Sequence, residues 1–147
     1  MAKRSGKSTN GSKIERILAK LTDAVGKDDY FERANAATEE LAETTTAFDA
    51  VEPILQLMER NEDADFGMPG PLVHFVETFY REGYEEKLLE SIERKPTPHT
   101  LWMLNRLING AEGKEKMQLV AVMRAVAKRT DISEESRNMA QGFLKRT

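Results

Sequence analysis

Apolar residues recur at helical spacing along nearly the whole chain, from Ile14 to Leu144, and this periodicity constrains the fold more than any other feature. The first stripe shows the pattern, because Ile14, Ile17, Leu18 and Leu21 stand at i, i+3, i+4 and i+7 and so share one helix face. No stretch shows the persistent apolar and polar alternation that is typical of a half-buried strand. The sequence therefore predicts an all-α fold.

Capping residues and helix breakers divide this pattern into about eight short helices. Ser12, Thr97 and Ser133 are the predicted N-caps, because their hydroxyl oxygens can accept a hydrogen bond from a free backbone N–H of the first turn. Pro53 lies inside the third helix, which therefore either begins near Glu52 or kinks. The predicted spans are about 13–25, 28–43, 47–60, 71–82, 85–94, 98–110, 114–129 and 134–144.

The spacing of the helix starts favours an array of helical pairs. Starts near positions 13, 48, 84 and 115 are separated by 35, 36 and 31 residues, a period typical of stacked helical hairpins. Short turns between helices favour antiparallel neighbours. The repeats share few identical residues, and a loop at 61–70 interrupts them. We therefore expect a HEAT-like array of about eight antiparallel helices, with a compact helical bundle as the alternative.

Composition limits the class of protein. The chain has 147 residues, of which 39% are hydrophobic and 32% charged, as in one ordinary globular domain. It contains no cysteine, which excludes disulfides and thiolate chemistry. Residues 1–12 are basic and polar and predict a disordered arm, followed by a single all-helical domain at 13–147. With no apolar run of membrane-spanning length and no signal-peptide pattern, we expect a cytoplasmic protein of bacterial type.

Charge is distributed unevenly along the chain. Residues 21–65 carry 13 acidic and three basic side chains, a balance of -10, whereas residues 1–20 carry six basic and one acidic, a balance of +5. Such an acidic stretch repels nucleic acid and attracts a basic protein. A solvated loop is the plain alternative for the run at 59–65. The predicted partner-binding residues are Glu39, Glu40, Glu43, Glu59, Glu62, Asp63 and Asp65.

Polar side chains follow one face of two mainly apolar helices. His99, Trp102, Arg106 and Asn109 recur at i, i+3, i+7 and i+10 on the sixth helix. We interpret this face and its counterpart on the fourth helix as a structural polar seam that a buried or half-buried ion pair holds together, with a partner-binding groove as the alternative. The predicted seam consists of His74, Glu77, His99, Trp102, Asn105, Arg106 and Asn109.

The sequence offers little for catalysis or metal binding. His74 as a general base with Glu77 as its orienter is the one candidate pair. The chain has only two histidines, each alone on its helix, whereas a zinc site needs about three or four nitrogen or sulfur ligands. We therefore expect no catalytic residue, no bound metal and no cofactor.

Two segments resemble helical immunity proteins of bacterial polymorphic-toxin and contact-dependent growth inhibition systems. They are GMPGPLVHFVETFY, which starts at Gly67, and SIERKPTPHTLWMLNRLIN, which starts at Ser91. Together they span roughly the middle third of the chain. The residues that carry the resemblance are Gly67, Pro69, Gly70, Pro71, His74, Glu77, Ser91, Pro96, Thr97, Trp102, Asn105 and Arg106.

The resemblance implies a small cytoplasmic helical protein that binds one cognate toxin and blocks it, with no enzyme activity of its own. Combined with the acidic stretch, it leads us to expect a non-catalytic immunity protein for a basic protein toxin, with neither membrane nor nucleic acid as partner. A helical-repeat adaptor for protein–protein interaction is the alternative. A small metal-dependent hydrolase that uses His74 and Glu77 is a minor one.

Overall fold

All regular structure in the described part of the chain is helical. The computed structural model describes the backbone of residues 5–147 and the side chains of residues 11–147. Within these residues there is no strand, so the predicted all-α fold is confirmed. The eight α-helices are α1 (Ser5–Ala24), α2 (Tyr30–Ala42), α3 (Val51–Arg60), α4 (Gly70–Glu77), α5 (Tyr84–Arg94), α6 (Pro98–Gly110), α7 (Gly113–Ala127) and α8 (Glu134–Lys145).

Two of the predicted N-caps cap their helices with side-chain hydrogen bonds. The backbone N–H of Thr100 donates to Oγ1 of Thr97 at 3.2 Å at the start of α6. The backbone N–H of Ser136 donates to Oγ of Ser133 at 3.1 Å at the start of α8. Each hydroxyl thereby satisfies an N–H that has no partner inside the helix, which fixes where the helix begins.

The first helix begins earlier than predicted. α1 starts at Ser5, whereas Ser12 was the predicted N-cap, so residues 5–12 of the predicted arm have helical backbone. Once Ile14, Ile17 and Leu21 hold the helix against the core, each further turn adds hydrogen bonds without a new nucleation cost. Residues 1–4 of the predicted arm lie outside the described residues.

The third and fourth helices also differ from their predicted spans. A 3₁₀ turn covers Ala47–Ala50, and α3 begins at Val51. Pro53 therefore lies in the first turn, where a backbone N–H has no partner inside the helix and proline's lack of one costs no hydrogen bond. α4 ends at Glu77 rather than near residue 82, because the following segment turns through a left-handed residue at Arg81, whose φ is +64°.

The most extensive helix packing joins α7 to α8 and α1 to α2, and α6 packs against α5, α7 and α8. Three of the hairpins expected from the helix starts are therefore present, α1–α2, α5–α6 and α7–α8, whereas α3 packs mainly against α5 and α4 against α2. Contacts of α3 with α1 and α6 give the helices a common core, as in a bundle. One cluster of buried apolar residues runs from Ile14 to Phe143. No helix of the described residues is long and apolar enough to cross a membrane.

Candidate functional site

The loop between α3 and α4, residues 61–69, has a defined shape that its own polar groups maintain. Nδ2 of Asn61 donates to the carbonyl oxygen of Leu57 at 3.0 Å. The backbone N–H of Gly67 donates to Oδ1 of Asp65 at 2.9 Å. Gly67 has a φ of +86°, and a Cβ at this position would lie 2.8 Å from the Cα of Gly70. Only glycine therefore fits this turn without strain.

Aromatic contacts attach the loop to the core. The ring of Phe66 is fully buried and meets Tyr30 edge-on at 5.8 Å and His99 at 5.3 Å between ring centroids. Nε2–H of His99 donates to the carbonyl oxygen of Gly67 at 2.7 Å. Burial lowers the pKa of His99 below its ordinary value, while the Gly67 carbonyl and the charge of Asp65 act in the opposite direction. His99, predicted as a seam residue, thus fixes the loop in the structure.

Carboxylates surround a cleft of about 200 Å³ beside this loop. Glu62, Asp63 and Asp65 come from the loop, and Glu135 joins them from the first turn of α8. Asp63, Asp65 and Glu135 are exposed. The cleft is therefore bordered by negative charge from two parts of the chain that lie far apart in sequence.

Two exposed apolar side chains flank the same loop. Met68 lines the cleft and is 50% exposed, and Phe31 is 43% exposed. A Cβ at Gly67 would lie 3.0 Å from Cε1 of Phe31, which shows how closely that ring approaches the loop. Exposed aromatic and methionine side chains are enriched at protein interfaces. We call Phe31, Asp63, Asp65, Met68 and Glu135 the loop face.

Several members of the loop face could not be identified from the sequence. Phe31 lies off the core-facing stripe of α2, and its neighbour Tyr30 is buried while Phe31 is exposed. Nothing in the sequence distinguishes Met68 from the methionines that fill gaps in a core. Glu135 belongs to an unremarkable acidic first turn, and only the packing of α8 against α6 brings it to the loop.

Ion pairs separate the acidic residues of the 21–65 stretch into two groups. Six of the 13 carboxylates have a cationic partner within 4.0 Å: Asp23, Asp29, Glu40, Glu52, Glu59 and Glu62. The remaining seven have none among the described side chains: Asp28, Glu32, Glu39, Glu43, Asp49, Asp63 and Asp65. The negative potential of this stretch therefore comes mainly from the second group.

The predicted docking residues do not form one continuous face. Glu59 is 13% exposed and binds Arg94 at 2.8 Å, so it joins α3 to α5. Glu62 lies 3.6 Å from Lys95. Glu40 lies 3.8 Å from Lys20.

Two further predicted docking residues lie away from the loop. Glu39 and Glu43 are exposed at the C-terminal end of α2, roughly 12–18 Å along the helix axis from Phe31 at a rise of about 1.5 Å per residue. The structure thus brings Asp63 and Asp65 together and leaves Glu39 and Glu43 at a distance.

The predicted ion pair between the fourth and sixth helices is present. Nε of Arg106 donates to Oε2 of Glu77 at 2.9 Å, with the side chain of Glu77 15% exposed and that of Arg106 56% exposed. The guanidinium also lies 4.9 Å above the ring of Trp102. The pair therefore joins α4 to α6 at the surface, with only its carboxylate largely covered.

Other predicted seam residues lie around this pair with different exposure. His74 and Asn109 are exposed, and Asn105 is half-buried. Glu77, Arg106 and Asn109 line a shared cleft, which His74 does not line. Among the described residues, no group of three or more histidine, aspartate or glutamate side chains is arranged to hold a metal ion. Comparison of the chain with protein-family models, curated proteins and solved structures finds no match.

Proposed function

We propose that this chain is a non-catalytic immunity protein that binds a cognate basic toxin through the loop face and neutralises it in the bacterial cytoplasm. The observation that carries the proposal is the combination, on and beside a loop of fixed shape, of carboxylates without an ion-pair partner and two exposed apolar side chains. Asp63 and Asp65 supply the charge, and Phe31 and Met68 supply the apolar contact. The resemblance of the middle third to helical immunity proteins supports the same function.

Unpaired charges on a rigid surface favour association with a partner of opposite charge. Like charges held close together repel one another and oppose the compact state, and a basic partner removes that repulsion on binding. The loop is held by Phe66 and by the bond between His99 and Gly67, so little conformational entropy is lost when a partner docks. Long-range attraction would increase the association rate, and the apolar pair would slow dissociation.

The mode of neutralisation follows from the sign of the charge. Toxins that act on nucleic acids need a basic surface for the phosphate backbone. An acidic face that covers this surface competes with the substrate and requires no catalytic group in the inhibitor. Phe31 and Met68 would then provide contact area that a nucleic acid does not have, which makes the inhibitor selective for one toxin.

The experiment is a rescue assay in cells. The candidate toxin is the C-terminal domain of the protein encoded next to this gene, and it is expressed with and without the chain. Wild type should restore growth, and Asp63→Lys with Asp65→Asn should abolish the rescue while leaving the melting temperature within about 2 °C of wild type, because Asp63 is exposed and the asparagine keeps the Oδ1 that accepts from the Gly67 N–H. Failure of wild type to restore growth, or full rescue by the double variant, would show that the proposal is wrong.

A further inference from the structure

A second region of the molecule carries the features of a binding cleft. Two adjoining depressions, of about 640 and 550 Å³, lie between the α4–α5 turn, α5, α6 and α7 and share Tyr80 and Leu107. Leu89, Leu119 and Val122 complete an apolar wall. Clefts of this size with apolar walls and a few polar groups are the usual form of a ligand site. This region shares no residue with the loop face.

A tyrosine hydroxyl without a hydrogen-bond partner among the described residues faces the cleft. Tyr84 is 1% exposed, yet it lines the smaller depression beside Glu77 and Arg106. Its hydroxyl forms no hydrogen bond with any group that the structure describes. Burial, with the charge of Glu77, raises the pKa of Tyr84, so the hydroxyl stays protonated and can donate. The hydroxyl of a largely buried tyrosine usually finds a hydrogen-bond partner, and a ligand in the cleft that offers an acceptor would supply one to Tyr84.

Backbone strain marks the edge of the same cleft. Arg81 has a φ of +64°, a conformation that a long side chain rarely adopts. Its N–H donates to Oε2 of Glu85 at 2.6 Å, and its guanidinium lies 5.1 Å above the ring of Tyr80. Strain of this kind persists where surrounding contacts hold it, and it concentrates at binding sites. The turn therefore holds Tyr80 and Arg81 in fixed positions at the mouth of the cleft.

The charge of the lining selects the kind of ligand. Four glutamates, Glu77, Glu85, Glu86 and Glu115, face two cations, Arg81 and Arg106. Arg106 binds Glu77, whereas the other three glutamates have no cationic partner within 4.0 Å among the described side chains. The apolar wall is therefore bordered by net negative charge, which complements a ligand that is both apolar and cationic.

We propose that this cleft binds an extended peptide segment in which apolar residues flank a lysine or arginine. The apolar side chains would pack on Leu107 and Leu119, and a backbone carbonyl would accept from the Tyr84 hydroxyl. The cationic side chain would lie between Glu86 and Glu115. The proposal does not rest on the function of the loop face, since it follows from the cleft alone.

The first test is calorimetry with the peptide acetyl-Leu-Lys-Leu-Leu-amide. The matched control is the same peptide with acetyl-lysine, which keeps the length and removes the charge. We expect the lysine peptide to bind at least tenfold more tightly, and we expect binding to change the fluorescence of Trp102, the only tryptophan, which contacts Arg106. Equal affinity of the two peptides, or no binding of either, would overturn the proposal.

Variants of the protein test the individual contacts. Tyr84→Phe keeps the ring and removes the hydroxyl, and Glu86→Gln with Glu115→Gln removes the charge at constant shape. Each change should weaken the affinity for the lysine peptide at least fivefold. Glu112→Gln, an exposed change near the start of α7 that lies outside the cleft, should bind like wild type.

A small amine separates a peptide site from a site for free organic cations. If 4-phenylbutylamine binds as tightly as the lysine peptide and Tyr84→Phe does not change its affinity, the peptide proposal is wrong, because no backbone contact is then used. Weaker binding of the amine, with the peptide sensitive to Tyr84→Phe, supports it. Tyr84→Phe and the double variant Glu86→Gln with Glu115→Gln should have the melting temperature of wild type, since neither removes a side-chain hydrogen bond or ion pair that the folded chain makes.

Discussion

At the scale of single residues, His99 links protonation to the geometry of the loop face. Its folded pKa is lowered from an ordinary value of 6.5, chiefly by burial. Below this value the unfolded chain binds more protons than the folded chain, so the free energy of unfolding falls as the pH falls. The loss begins near pH 6.5 and continues down to the lowered pKa of the folded state.

The pH dependence can be measured by urea unfolding at pH 7.5, 6.5 and 5.5. We expect wild type to lose stability across this range and His99→Gln to lose less, because the variant has no group that titrates there at this position. His74→Gln changes the exposed histidine and should keep the dependence of wild type. Equal slopes for His99→Gln and wild type would contradict the assignment.

The ion pair of Arg106 with Glu77 is a second test at this scale. The Arg106 side chain is 56% exposed, and surface pairs contribute about 0–1 kcal/mol. We therefore expect Arg106→Met to cost about 1 kcal/mol, which includes the contact with Trp102. A chemical unfolding curve measures the difference. A loss of more than about 3 kcal/mol would mean that Glu77 behaves as a buried charge without a partner.

At the scale of elements, Glu59 is the most buried carboxylate among the ion pairs that join α3 to α5. Its carboxylate accepts from Oγ of Ser91 at 2.6 Å and from Nη2 of Arg94 at 2.8 Å, and Ser91 is fully buried. Removing the carboxylate leaves the Ser91 hydroxyl buried without a partner. The residue therefore holds two helices together.

Truncating Glu59 tests this link. Glu59→Ala should cost about 2–4 kcal/mol of unfolding free energy, because hydrogen bonds to charged groups and unsatisfied buried groups each count for about 1–3 kcal/mol. Asp63→Ala changes an exposed residue of the same acidic run, and its free energy of unfolding should stay within about 0.5 kcal/mol of wild type. Similar values for the two variants would show that Glu59 is only a surface charge.

The sequence predicted the helices well where local chemistry decides them. Thr97 and Ser133 cap their helices through side-chain oxygens that any reader of the sequence can identify. The predicted end of α4 was wrong, because the turn after it places Arg81, rather than a glycine, in the left-handed region, with its backbone N–H donating to Oε2 of Glu85. The start of α1 was missed, because helix extension beyond the core leaves no apolar signal.

At the scale of the whole molecule, the charge balance could be predicted from the sequence, but the ion pairs between different helices could not. Asp63 and Asp65 stand in an acidic run that any count of charges detects. Glu59 stands in the same run, yet its partner Arg94 comes from another helix. Local i,i+4 spacing pairs Asp23 with Lys27 and Asp29 with Arg33, whereas tertiary packing decides which carboxylates of the 59–65 run stay unpaired.

The association rate with the toxin domain, measured at increasing salt, tests the account most directly. Wild type should associate fast at low salt and slow steeply as salt screens the charges. Asp63→Lys with Asp65→Asn, which keeps the acceptor for the Gly67 N–H, should slow association at least tenfold and flatten the salt dependence. Glu39→Lys with Glu43→Gln, at the far end of α2, should stay within about twofold of wild type. If the loop variant associates like wild type, or the α2 variant is the one that fails, the loop face is not the docking surface.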